Sequence, residues 1–184
     1  ASEIDSGDND RSLCIEVITL FPEMVLQGLG FGMPRVAMER GAMRLSARNP
    51  RDFSGNRHRS VDDRTYGGGP GMVMQAPPLA AALDAAKQAH GPGLVIAMSP
   101  QGEKLSQAWL ERLAQEKTLF FICGRYEGID ERFIRDEVDL ELSLGDFVLS
   151  GGELAAMAVI DGVARLLPGV LGDAGSARED SFSE

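Results

Sequence analysis

Cysteine, histidine and aromatic residues are scarce in this chain, and their scarcity excludes several classes of protein. The 184 residues include two cysteines, two histidines, one tryptophan and two tyrosines. Two cysteines are too few for the disulfide framework of a small secreted domain. No C-x-x-C motif and no cluster of histidines points to a metal site. We therefore expect Cys14 and Cys123 to be unreactive core residues.

Long apolar runs are missing as well. No stretch of about 18 uninterrupted apolar residues occurs, so we expect no membrane-spanning helix. Residues 1–13, ASEIDSGDNDRSL, are acidic and polar, whereas a signal peptide has a basic start and an apolar centre. We expect a cytoplasmic protein in which residues 1–12 form a disordered acidic extension.

The scarcity of histidine also limits the catalytic mechanisms that the chain can use. Only His58 and His90 are present, and no Ser-His-Asp order stands out, so nucleophilic catalysis is not favoured. The glycine-rich YGGGPGM at 66–72 lacks the Lys-Ser/Thr pair of a P-loop and the third glycine of a dinucleotide-binding motif. By spacing alone, it is typical of a flexible turn.

Charge is distributed unevenly along the chain. The formal net charge of −10 argues against binding to nucleic acid. Residues 35–64, however, contain eight arginines against four acidic residues, whereas residues 125–146 contain three arginines against eight acidic residues. The basic segment is a candidate RNA contact. The alternative is a solvated loop whose arginines pair with Asp52, Asp62 and Asp63.

Strand and helix patterns alternate from one end of the chain to the other. Runs of β-branched and apolar residues predict strands at 13–21, 42–49, 93–99, 118–123 and 139–145. Helical patterns begin at Pro22 and cover 78–90, 105–115, 127–138 and 153–167. A long loop is expected from Pro50 to Pro78, and a loop at PQGEK. The fold class is therefore α/β, with a mostly parallel sheet covered by helices.

Three glycine-rich segments follow predicted strands. They are SPQGEK at 99–104, CGRYEGID at 123–130 and LGDFVLSGGE at 144–153. In open parallel sheets, ligands bind in the crevice beyond the carboxyl ends of the strands. The three loops are therefore expected to form the walls of one ligand pocket.

Seven segments in order carry a resemblance to a known family. ITLFPEM, the RDF to YGGGPGM stretch, SPQG, CGRYEGIDER, LGDFVLSGGE, LLPGVLG and EDSF resemble bacterial tRNA (guanine-N1)-methyltransferases, which modify guanosine 37. The match runs from about residue 15 to the last residue. It implies a trefoil-knotted (SPOUT-type) catalytic domain over 13–172, with S-adenosylmethionine bound by the knot loops. It also implies an obligate homodimer whose active sites are shared between subunits.

The resemblance also implies which residues act on the substrate. Methylation at N1 of guanine removes the N1 proton and builds charge on O6, so a base and a cation are required. These roles fall on Asp180 as general base and Arg165 as the cation, and Glu127 is the further acidic group, near a possible Mg²⁺. From the residues alone, Arg165 also suits a helix C-terminus, Glu127 a helix cap, and Asp180 a solvated tail.

The cofactor site is implied in the same way. The matched positions are Met98, Ser99, Pro100, Gly124, Tyr126, Glu127, Gly128, Leu144, Gly145, Leu149, Gly151 and Gly152. Glycines allow backbone groups to approach a ligand closely, and the apolar side chains can sandwich an adenine ring. Ala97 and Ala155 stand where other members can carry Tyr and Pro, so the pocket is expected to differ in shape there.

The resemblance assigns the basic segment to the tRNA. Arg51, Arg57, Arg59 and Arg64 are expected to contact RNA phosphates, while the base is read after leaving the anticodon stack. Family members continue past EDSF into a linker and a helical tRNA-binding domain. We expect 173–184 to begin that linker, and this chain to bind cofactor but methylate tRNA weakly.

Two other functions stay open. One is a non-catalytic dimeric module that binds the cofactor or RNA, and the other is a knotted methyltransferase with a different RNA target. The predicted helix at 153–167 is apolar on nearly all sides. Burial against a partner subunit and burial in the chain's own core explain that composition equally well.

Overall fold

A computed structural model describes residues 12–55, 60–64, 72–125 and 128–172. The strands are β1 Leu13–Ile18, β2 Met43–Arg48, β3 Asp62–Arg64, β4 Met72–Met74, β5 Leu94–Lys104, β6 Thr118–Ile122 and β7 Leu140–Ser143. The helices are α1 Pro22–Gly28, α2 Gly32–Glu39, α3 Ala76–His90, α4 Gln107–Leu113, α5 Glu131–Glu137 and α6 Glu153–Ala164. A 3₁₀ helix covers Pro50–Phe53.

The main sheet is parallel throughout. Its five strands lie in the order β2-β1-β6-β5-β7, and β3 pairs with β4 in a separate antiparallel ladder. The α/β class with a mostly parallel sheet, expected from the alternating pattern, is confirmed. The trefoil knot stays a prediction.

Helices cover both faces of this sheet. Successive side chains of a strand point to opposite faces, so Phe120 packs with α3 and α5 while Phe121 packs with α6. Both phenylalanines are fully buried. Because both faces of β6 are buried, its sequence is continuously apolar rather than alternating between apolar and polar residues.

Helix α6 is buried mainly within the chain itself. Ala156, Val159, Ile160 and Val163 are fully buried in the core on one side of the sheet. Leu154 at its start is instead 56% exposed. The core of the chain therefore accounts for most of the apolar character of α6, and Leu154 belongs to an exposed apolar surface.

The predicted loop over 50–78 is wrong in detail. It contains the 3₁₀ helix, β3 and β4, and α3 begins at Ala76 rather than Pro78. Helix α2, between α1 and β2, was not predicted. Short segments of this kind carry too few residues for a clear periodic signal, and their structure depends on the sheet against which they pack.

The predicted loop at PQGEK is also wrong, because β5 continues through it to Lys104. The pairing of β5 with β7 shifts register between Met98 and Glu103. Within this irregular stretch, a Cβ on Gly102 would lie 2.6 Å from the backbone carbonyl carbon of Glu141. Glycine therefore permits the two strands to approach closely.

Helix α5 begins later than predicted. Its N-cap is Asp130, whose carboxylate accepts a hydrogen bond from the backbone N–H of Arg132 at 2.9 Å. The capping role considered for Glu127 thus belongs to Asp130. Within the described parts of the chain, none of the helices is long and apolar enough to cross a membrane.

Candidate active site

A cavity of about 750 Å³ lies at the carboxyl ends of the parallel strands. It is bounded by the irregular part of β5, the loop after β6 and the loop between β7 and α6. All predicted cofactor residues within the described ranges line it, namely Met98, Ser99, Pro100, Gly124, Gly128, Leu144, Gly145, Leu149, Gly151 and Gly152. The structure therefore brings together the three glycine-rich segments, as expected from the parallel topology.

Backbone hydrogen bonds hold two of these loops against each other. The N–H of Gly152 donates to the carbonyl oxygen of Gly124 at 2.9 Å, and Arg125 forms an antiparallel bridge with Gly151. On the other side, the N–H of Met74 in β4 donates to the carbonyl oxygen of Gly128 at 3.0 Å. The loop after β6 is thereby fixed at both of its described ends.

Two glycines are required by the backbone geometry of the cavity wall. Gly128 has a φ of 127°, which side chains other than hydrogen rarely permit. A Cβ on Gly152 would lie 3.1 Å from the Cα of Cys123. A larger residue at either position would displace the loop that follows β6.

A buried carboxylate lies behind this wall. Glu153, the first residue of α6, is fully buried, and its Oε1 accepts hydrogen bonds from Thr19 Oγ1 at 3.2 Å and Arg125 Nε at 3.1 Å. The Arg125 guanidinium also lies 4.6 Å from the centre of the Phe21 ring. The carboxylate of Glu153 therefore joins the start of α6 to the segment after β1 by a hydrogen bond and to the loop after β6 by an ion pair.

Cys123 lies next to this ion pair and is fully buried. Burial raises the pKa of its thiol well above the ordinary value, and the negative charge of Glu153 raises it further. Burial likewise raises the pKa of Cys14. Both cysteines therefore have the unreactive character expected from the sequence.

Of the three predicted catalytic residues, the described part of the chain includes only Arg165. Arg165 is half-buried at the C-cap of α6 and is not among the residues lining the cavity. Glu127, Tyr126 and Asp180 lie outside the described residues. Their assigned roles therefore stay predictions.

The basic segment is less available for RNA than its charge suggests. Arg48 bonds the buried carboxylate of Glu16, and Arg40 donates to the backbone carbonyl oxygens of Gly169 and Val170. Of the predicted RNA contacts, Arg51 lies in the 3₁₀ helix. Arg64 lies in β3, with only its backbone described, and Arg57 and Arg59 lie outside the described residues.

Sequence reasoning missed the charged residues at the cavity, and the two that form an ion pair are Arg125 and Glu153. Both lie inside motifs that were singled out, CGRYEGID and LGDFVLSGGE, but their pairing joins positions 28 residues apart. Ala97 and Ala155, noted as departures from the family pattern, line the cavity. Among the described residues, no group of three or more His, Cys, Asp or Glu side chains could hold a metal ion.

The sheet and its cavity define a class of protein. A parallel α/β domain with a glycine-lined cavity beyond its strand ends is typical of proteins that bind a small molecule there. The chain belongs to the family described as tRNA (Guanine-1)-methyltransferase TrmD, whose model matches residues 13–184. The family expected from the sequence motifs is confirmed.

Individual relatives agree with this assignment. A tRNA (guanine-N(1)-)-methyltransferase from Photobacterium profundum is 55% identical over 170 residues, covering 92% of this chain and 68% of that protein. One from Halorhodospira halophila is 58% identical over 170 residues, covering 92% of this chain and 64% of that protein. The crystal structure of tRNA (m1G37) methyltransferase from Aquifex aeolicus superimposes with a TM-score of 0.82 at 41% identity, covering 88% of this chain and 73% of that one.

Proposed function

We propose that this protein transfers a methyl group from S-adenosylmethionine to N1 of guanosine 37 in tRNA. The observation that carries the proposal is the cavity at the strand ends, which is lined by every described residue that the family motifs assign to the cofactor. Membership of the methyltransferase family supports the reaction type. The named activity of the Aquifex aeolicus protein supports the choice of nucleotide.

The lining of the cavity fits a nucleoside-based methyl donor. Its volume of about 750 Å³ is within the range of small-molecule sites, roughly 300–1,000 Å³. Apolar side chains of Met98, Leu144 and Leu149 occur together with glycines, whose backbone a ligand can approach closely, and this mixture suits an adenine ring and its polar edge. When bound, the donor supplies an electrophilic methyl group on a sulfonium.

Methyl transfer then requires residues that remove the N1 proton of guanine and stabilise the charge that develops on O6. Asp180 is proposed to accept the N1 proton of guanine, and Arg165 to stabilise the negative charge that develops on O6. An aspartate in water is a weak base at neutral pH, so the cation near O6 makes proton removal easier. Glu127 is proposed to lie near the reacting end of the cofactor, with Mg²⁺ as an additional partner there.

We propose that the active form is a homodimer. Large apolar side chains on and around α1, together with Leu154 of α6, are unusually exposed for a single domain: Phe21, Met24, Leu26, Phe31 and Leu154. Exposed apolar surface of this kind marks interaction sites. A second copy of the chain that covers this surface would place residues of both subunits near the cavity.

Cofactor binding is the first test of the proposal. Isothermal titration of the chain with S-adenosylhomocysteine is expected to show saturable binding near one site per subunit. No binding by a demonstrably folded protein would contradict the proposed function. It would favour a non-catalytic module that binds RNA.

Methylation assays test the target atom. Replacing guanosine 37 by inosine retains N1–H and O6, whereas adenosine lacks both. A guanine-N1 enzyme is expected to tolerate inosine better than adenosine, and equal tolerance would favour another target atom. Asp180→Ala and Arg165→Ala are expected to abolish the activity on guanosine, while unchanged activity would contradict their roles.

A further inference from the structure

The ion pair between Glu153 and Arg125 lies at the junction of three segments beside the cavity. Arg125 and its neighbour Gly124 line the cavity, whereas Glu153 lies behind the wall and does not. The Nε–H of Arg125 donates to Glu153 Oε1 at 3.1 Å. Glu153 therefore acts on the cavity only through the residues that it holds.

The side chain of Arg125 contacts three described residues. Its guanidinium stacks on the ring of Phe21 at 4.6 Å, and its Nε is held by Glu153. The same side chain covers Gly151 so closely that a Cβ on Gly151 would overlap it. The side chain of Arg125 thus adds to the backbone hydrogen bonds that hold the loop after β6 against the loop before α6.

Stability alone is a poor explanation for this arrangement. Glu153 is fully buried, and its Oε2 has no hydrogen-bond partner among the described residues. Burying a carboxylate costs free energy that an ion pair often fails to recover, and an apolar residue of similar size commonly serves stability as well or better. The cost of burying this carboxylate suggests that Glu153 is present to position its partners rather than to add stability.

We propose that Glu153 is a positioning residue for the methyl-donor site. By holding Arg125 against Phe21 and over Gly151, it sets the spacing of the two glycine-rich loops that face the donor. This inference rests on the proposed function, because it takes the cavity to be the donor site. Functional sites need such a supporting layer, since a loop displaced by about 1 Å binds or orients its ligand poorly.

A double-mutant cycle on donor binding tests the proposal. The 184-residue chain, Glu153→Gln, Arg125→Gln and the double variant are titrated with S-adenosylhomocysteine, and the melting temperature of each is measured. Glutamine keeps the size of glutamate and one acceptor oxygen at position 153. Arg112→Gln is the matched control, because Arg112 also stacks on an aromatic ring, that of Trp109 at 4.3 Å, but does not line the cavity.

Each single variant is expected to weaken binding by about tenfold or more, and the double variant to be no weaker than the poorer single one. Arg112→Gln is expected to bind like the original chain. Folded Glu153→Gln and Arg125→Gln variants that bind the ligand within twofold of the original chain would overturn the proposal and leave the pair a structural one. Losses that add up in the double variant would also overturn it. Failure of the original chain to bind would instead contradict the proposed function.

Where Glu153→Gln does not fold, Thr19→Val gives a second measurement. It removes the other hydrogen bond to Glu153 Oε1 but leaves the ion pair in place. The valine variant is expected to weaken S-adenosylhomocysteine binding by a smaller factor than Arg125→Gln does. Unchanged binding in a folded Arg125→Gln variant contradicts the proposal whatever the behaviour of position 153.

Discussion

The carboxylate of Glu16 accepts two hydrogen bonds from the guanidinium of Arg48, each 3.1 Å long. Glu16 lies in β1 and Arg48 at the end of the neighbouring β2, and Ser46 and His90 contact the same carboxylate. The glutamate is only 2% exposed. One arginine of the basic segment therefore balances a buried acid, and a charge count along the sequence overstates the positive charge available to RNA.

Loss of this buried acid is expected to destabilise the fold. Glu16→Gln removes the negative charge that faces the Arg48 guanidinium and is expected to lower the free energy of unfolding by about 2–3 kcal/mol. This is less than the roughly 3–5 kcal/mol for a fully buried pair, because the Arg48 side chain is 28% exposed. Urea denaturation measures the change. The control is Glu39→Gln, whose exposed pair with Arg35 spans 3.7 Å and should contribute less than about 1 kcal/mol.

The cap of α5 predicts an acid-dependent change in stability. Hydrogen bonds from Arg132 hold the pKa of Asp130 below its ordinary value of 3.8. The folded state therefore favours the carboxylate, whose contribution is complete at pH values above 3.8 and is lost as the pH falls through the lower folded-state pKa. Asparagine also caps helices well, so Asp130→Asn retains the cap but removes the charge and one of the two acceptor oxygens that face the Arg132 guanidinium. Its stability deficit is expected at pH 7 and should shrink as the pH falls below 3.8, while a constant deficit would contradict the prediction.

Because β5 and β7 approach each other closely at Gly102, a larger residue at this position is expected to destabilise the protein. Gly102→Ala places a Cβ 2.6 Å from the backbone of Glu141 and is expected to cost about 1–3 kcal/mol of stability, measured by urea denaturation. Gly55→Ala is the control, because a Cβ there has no neighbour within 4 Å among the described residues. Equal effects of the two changes would show that the strands can separate at this point.

Burial predicts unreactive thiols. The pKa values of Cys14 and Cys123 are raised by burial, so the thiolate is scarce at pH 8 in the folded protein. Neither cysteine is expected to react with iodoacetamide under native conditions, whereas both should react in concentrated urea. Mass spectrometry counts the modified residues. Rapid native labelling of Cys123 would mean that the loop after β6 opens readily.

Charge reversal in the basic segment tests its predicted RNA contact. Arg59→Glu is expected to weaken tRNA binding, because Arg59 is predicted to contact RNA phosphates. The affinity for S-adenosylhomocysteine is expected to stay unchanged, because Arg59 is not among the residues predicted to bind the methyl donor. Filter binding and calorimetry measure the two affinities. Arg112→Glu, outside the basic segment, is the control. If both affinities fell together for Arg59→Glu, the residue would have a structural role.

Much of the fold could be predicted from local patterns. The runs that became β1 and β6 are almost entirely apolar or β-branched, and the helical pattern of α6 is long and lies between Gly152 and Pro168, so composition and period identified these elements. α2 and the extension of β5 to Lys104 escaped prediction. α2 has only eight residues, and the β5 extension is rich in residues that usually form loops, so pairing with β7 decided its conformation.

The candidate site shows the same division. The order of motifs in the sequence determined the family, the three cavity-forming loops and the residues expected to hold a methyl donor, because parallel strands place their carboxyl ends at one edge. Only the tertiary structure decided that Arg125 pairs with Glu153 and that Arg48 pairs with Glu16. Such pairs depend on which strand ends and helix starts become neighbours in space. A buried charge needs an opposite charge close by to offset the cost of its desolvation, and that partner can be distant in sequence.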